Sequence, residues 1–144
     1  MVVAALIIAI VGAVTGVASL CWNIASWQRS GPIVRVQATC SGRGDDMKVY
    51  GTVSNTGRFD ASLSQLGFGW YLRGTWISVP IPAERVDGLE IPSALPAQNQ
   101  AEFVITGVAS LDPGLSAALH DRRRVEIGFT TGSGKPAQTE IKYA

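Results

Sequence analysis

The chain has 144 residues, 12 basic and 11 acidic, a formal net charge of +1, and 47% apolar residues. Its mean hydropathy of +0.21 is too apolar for an ordinary soluble domain and its length too short for two, and the composition excludes a disordered chain, a collagen repeat and a disulfide scaffold. The excess hydrophobicity is local: residues 1–29 hold a single charge, Arg29, and the remainder is balanced at 11 basic and 11 acidic side chains.

From Val2 to Trp22 no residue is charged, and a helix of that length spans roughly 31 Å, the thickness of a bilayer core. Trp22 and Trp27 stand where an aromatic interface belt is expected, just before Arg29. The segment predicts a single transmembrane helix with its interface over residues 1–29. A cleaved signal peptide is the rival, with Val17-Ala18-Ser19 as a small-residue site, but the positive n-region is missing and the apolar run starts at residue 2. Leu20 before Cys21 does not suit a lipoprotein signal. Arg29 and Arg35 follow the span and no Lys or Arg precedes it, which favours a cytoplasmic C-terminal domain. Gly12 and Gly16 form a G-x-x-x-G that admits a homodimer through the membrane helix.

Ser30-Gly31-Pro32 ends the helix, and residues 30–144 read as strands. Val34, Val36, Ala38 and Cys40 alternate with polar residues, as do Met47, Val49, Gly51 and Val53, before the turn at Asn55-Thr56-Gly57. Over residues 61–73 the expected inner face is Leu66, Phe68, Trp70 and Leu72, with Gly67, Gly69 and Tyr71 opposite, and Arg73-Gly74 turns the chain. Trp70 is the expected core anchor. Pro80 and Pro82 confine the piece from Trp76 to Ile81 to an edge. Residues 83–99 form a connection with at most one short strand near Val86–Ile91. Ala101, Phe103 and Ile105 begin a further strand, Asp112 and Pro113 open a short helix, Val125, Ile127 and Phe129 start the next strand, and 138–143 the last. The count is seven or eight strands and one short helix, an all-β antiparallel sandwich, with a small barrel as the alternative.

Val49 to Gly57 followed by a Trp-bearing strand, and later Leu95-Pro96-Ala97-Gln98-Asn99-Gln100-Ala101 leading into Glu102 to Ile105, resemble the bacterial immunoglobulin-like domains of the CARDB type. The stretch before Arg122 resembles the corner between strands E and F of such domains. The resemblance runs over residues 33–143 and implies an Ig-like sandwich. Two departures stand out: Gly is missing from the 95–100 turn, and Cys40 is the single cysteine of the domain, so the inter-sheet disulfide of antibody-like domains cannot form. The whole layout is similar to small membrane proteins of high-GC bacteria and their phages, which implies modulation of the host envelope or superinfection exclusion.

The residues offer little chemistry. His120, the one histidine, lies beside Asp121 without an activating nucleophile motif, so no enzyme is expected. One histidine and two cysteines on different sides of the membrane boundary assemble no metal site, and Asp45-Asp46 reads as a solvated turn rather than a calcium loop. Gly42-Arg43-Gly44 and Gly132-Ser133-Gly134-Lys135 read as hairpin turns, so no cofactor is expected. Arg122-Arg123-Arg124 could meet phosphate or anionic headgroups or be a solvated face, and the neutral domain argues against nucleic acid. The most suggestive region is the apolar stretch with Trp76, Ile77, Val79, Ile81, Leu89 and Ile91 among prolines, which either docks a protein partner or covers the open end of the core. The expected function is a membrane-anchored, non-enzymatic protein-interaction module; the alternative is a structural subunit of an envelope or virion assembly.

Overall fold

In the computed structural model the described residues are 2–29, 31–132 and 136–144, Gln28 and Arg29 by their backbone alone. Ser30 and the turn residues Ser133, Gly134 and Lys135 lie outside them. The chain divides into two compact units, Met1–Gly31 and Pro32–Ala144. The first is one helix, α1 (Val2–Arg29). Its stretch Val2–Trp27 is long and apolar enough to cross a membrane, and none of its most apolar window is buried by protein.

The second unit is mostly β. Ten strands are described: β1 (Val34–Ser41), β2 (Lys48–Asn55), β3 (Ala61–Leu72), β4 (Thr75–Pro80), β5 (Val86–Asp87), β6 (Ser93–Leu95), β7 (Asn99–Ile105), β8 (Val125–Thr131), β9 (Ala137–Glu140) and β10 (Lys142–Tyr143). One sheet has the order β10-β1-β2-β7-β5, the other β4-β3-β8-β9, and β6 pairs with the start of β3. All pairs are antiparallel except β1 with β10. Isolating β5, β6 and β10, each of two or three residues, is what raises the count above the expected seven or eight.

The two sheets share one core. Val36, Val49, Val53, Phe103 and Ile105 come from the first, and Leu66, Phe68, Trp70, Ile127 and Phe129 from the second. Phe103 meets Phe129 edge to face at 5.5 Å and 87° between the layers, a preferred aromatic geometry. Gly51 makes room for it, because a Cβ there would overlap the Phe103 ring. The helix α2 (Pro113–His120) closes one end with Leu115, Ala118 and Leu119. Asp112 caps it by accepting from Leu115 N at 2.9 Å, and Pro113 takes a position where no amide partner is needed.

One feature of β3 departs from simple alternation, and two expectations need correction. Leu63 is buried together with Leu66, although an odd separation puts them on opposite faces of a regular strand; the register against β8 slips between Leu63 and Gln65, so a bulge shifts the phase. Leu72 is 40% exposed rather than in the core, because β3 runs two residues beyond its last partner in β8, Val125 opposite Trp70. Residues 83–99 hold two short strands, not one.

One buried polar group ties this fold together. Asn55, 1% exposed, accepts from Ile33 N at 3.2 Å and Gly57 N at 3.0 Å, and its amide donates to Phe59 O at 2.8 Å and Leu95 O at 3.1 Å. Truncation removes four hydrogen bonds to backbone groups, two of them, to Gly57 N and Leu95 O, buried. Asn55→Ala is expected to cost about 2–4 kcal/mol, read as a lowered denaturation midpoint of the detergent-solubilised chain by near-UV circular dichroism; an unchanged midpoint contradicts this role.

Candidate interaction surface

Strand alternation sorts the apolar stretch of residues 75–96. Ile77 and Val79 on β4, and Leu89 and Ile91 beyond it, are partly buried against the core. Ile81 is a correction: it is 6% exposed, its amide donates to Leu66 O at 2.9 Å, and its side chain offers nothing to a partner. The physical reason is that β4 pairs along β3 from Leu72–Thr75 to Gly67–Pro80, which carries Ile81 in against the core. Trp76 alone of the six faces solvent, 42% exposed. The stretch thus mainly closes the flank of the core, and β4 is an edge strand, as Pro80 within it requires.

Trp76 belongs to a surface for which sequence patterning gave only half the signal. The outward residues of β3 include Gly67 and Gly69, and Gly67 stands opposite Gly128 of β8. These three glycines floor a groove of about 210 Å³, walled by Trp76 and Pro80 on one side and Pro136 and Gln138 on the other, with Gln65, Glu126 and Thr130 as polar lining. A Cβ at Gly69 would overlap the Trp76 indole; the missing side chain lets the ring lie across the sheet and buries Gly69. Tyr71 meets Trp76 at 4.9 Å and 65°, edge to face. Alternation alone identified Gly67, Gly69 and Tyr71 as outward-facing; that Trp76 fills the space they leave depends on the β3–β4 register, set by the two-residue turn with Arg73 and Gly74 at φ 51 and 82.

Two arginines near this face form ion pairs. Arg124 reaches Glu126 at 3.1 Å and Glu140 at 3.3 Å, while Arg123 pairs with Asp121 at 3.1 Å. Arg123 and Arg124 of the triple-arginine run are thus engaged in ion pairs at the surface, each of small energetic weight. Behind it Tyr143 donates from its hydroxyl to Arg123 O at 2.6 Å. Burial, then the neighbouring Cys40 and Glu140, push its phenol up to about 12, against an opposing pull from Arg122; burial likewise raises the Cys40 thiol.

The other candidate residues stay apart. His120 is exposed at the end of α2, and Asp45 and Asp46 lie in an exposed single turn. No group of three or more potential metal ligands occurs among the described residues. Gly12 and Gly16 lie on α1 with nothing within 4 Å of where a Cβ would stand, and Thr15 satisfies its hydroxyl on Val11 O at 2.8 Å. The chain matches no protein-family model and no curated protein.

Two outcomes follow from this geometry. Gly69→Ala should push the Trp76 ring off the sheet, so that acrylamide quenching of tryptophan emission rises while the fold persists; unchanged quenching contradicts the packing. Tyr143 has a folded pKa above its unfolded value of 10, so its stabilising contribution is complete below pH 10 and is lost as pH rises from 10 toward about 12. Tyr143→Phe should flatten that alkaline loss in a denaturation series, and an identical slope would refute the assignment.

Proposed function

We propose that the chain is a single-pass membrane protein that presents an Ig-like sandwich of the CARDB type as a protein-interaction module, without catalytic activity of its own. The strand order carries the Ig-like reading. β1-β2-β7-β5 opposite β4-β3-β8-β9 corresponds to A-B-E-D opposite C′-C-F-G, with Trp70 buried on the third strand where such domains keep a core tryptophan. The helix concentrates the module at the bilayer through residues 2–22. Arg29 and Arg35 after the span favour the cytoplasmic side for the sandwich. The layout supports phage- or prophage-encoded modulation of a host envelope, including superinfection exclusion, as the biological setting.

The docking surface in this reading is the outer face of the second sheet. It combines a rigid exposed aromatic pair with a glycine floor that lets a partner backbone come close. Gly12 and Gly16 support pairing of two copies within the membrane.

Photo-crosslinking in cells tests the module. A crosslinking side chain placed at Tyr71, beside an intact Trp76, should capture a discrete protein, and one at Glu102 on the opposite sheet should not. Trp76→Ala should reduce the Tyr71 capture several-fold with the near-UV spectrum preserved. Equal capture from both sheets, or none from either, contradicts the assignment.

A further inference from the structure

The β unit has two ends, and their surfaces differ. The chain enters at Ile33, β1 runs away from that end to Ser41, β2 returns to Asn55, and β3 leaves again from Ala61. The 56–60 turn therefore shares the entry end, and so does the Ala97-Gln98 turn, since Leu95 pairs with Ala61 and Asn99 with Asn55. The opposite end carries Asp45, Asp46, Asp121 and Arg122 to Arg124, about 26 Å away along an eight-residue β1.

The entry turn is firmly built. Thr56 N donates to Ile33 O at 2.9 Å, Asn55 holds Gly57 and Phe59, and the Gln98 amide donates to Thr56 O at 2.8 Å and Gly57 O at 3.0 Å. Its one carboxylate, Asp60, is occupied by Ala97 N at 3.0 Å. Yet this fixed turn holds Phe59 59% exposed, with Ile33 beside it 44% exposed. Phe59 is the most exposed wholly apolar large side chain described in the β unit, and such exposure on a rigid turn costs hydrophobic free energy unless something covers it. Arg58, next to it, is exposed and has no ion-pair partner among the described residues.

The covering surface follows from chain continuity. α1 ends at Arg29, and the four residues to Ile33 extend at most about 14 Å. Where α1 spans a bilayer, chain continuity therefore keeps Ile33 within that linker's reach of the helix end. We infer that Phe59 and Ile33, with Arg58 toward the anionic headgroups, seat this end of the sandwich in the interface of the bilayer that α1 spans, which rests on the reading of α1 as a membrane helix. Apolar side chains flanked by a cation suit that environment. The seat restrains the sandwich at its base and leaves the opposite, charged end for water.

Full-length chain carrying Cys21→Ala is reconstituted in vesicles of phosphatidylcholine and phosphatidylglycerol. A polarity-sensitive fluorophore is attached at Thr56→Cys, Asp45→Cys or Val14→Cys; Cys40, 5% exposed, stays unreactive in the folded chain. The expected result is quenching of the Thr56 label by headgroup-level spin-labelled lipid, loss of that quenching on adding Phe59→Asp, and no quenching at Asp45. If the Thr56 label behaves like the Asp45 label, or Phe59→Asp changes nothing, while deep spin labels quench at Val14, the anchor stands and the seat is overturned. If Val14 is not quenched, the anchor reading fails and the seat falls with it.

Discussion

Four hydrogen bonds on one buried side chain hold the sandwich at its entry end. An amide has two N–H donors and a carbonyl oxygen with two lone pairs, and Asn55 uses all four. Its partners are the residue before β1, the turn after β2, and β6, which belongs by pairing to the opposite sheet. Asn55 therefore joins the two layers where no hydrophobic contact could be as directional. A buried amide with fewer partners would be destabilising; with all of them it fixes one register and one path for the 56–60 turn. The position of Phe59 and the alignment of β1 with β2 both depend on it.

Much of this architecture is legible in the chain. Period-two alternation finds the main strands because one face of each is buried and the other is wet. Asp112-Pro113 marks the helix start because both residues suit unpaired amides, and Pro80 marks an edge because it lacks a donor. What is not legible depends on pairing. The bulge between Leu63 and Gln65 leaves no signature in Ala61-Ser62-Leu63-Ser64, whose simple alternation would run on out of phase with Leu66. Ile81 looks like a docking residue among prolines, and only the path from β4 to Leu66 O shows it to be core. Asn55 reads as a turn former, which it is, but its reach to Leu95 spans forty residues and no local pattern encodes that.

The candidate surface was half readable for the same reason. Gly67, Gly69 and Tyr71 alternate as an outward row, while Trp76 reads as one apolar residue in a run. Two-residue closure at Arg73-Gly74 brings that ring across Gly69, turning a weak stretch of strand into a rigid aromatic ledge. Two exposed apolar features result, the Tyr71–Trp76 pair on the sheet and Phe59 at the entry turn. As proposed above, the first docks a protein and the second meets lipid.

The account rests on α1 staying in the chain and in the bilayer. The most direct measurement is the intact mass of the protein in membranes washed with alkaline carbonate. The account predicts the full chain of 15.2 kDa in the membrane pellet after the wash. Recovery in the supernatant, or a mature chain beginning near Ser19, would contradict it.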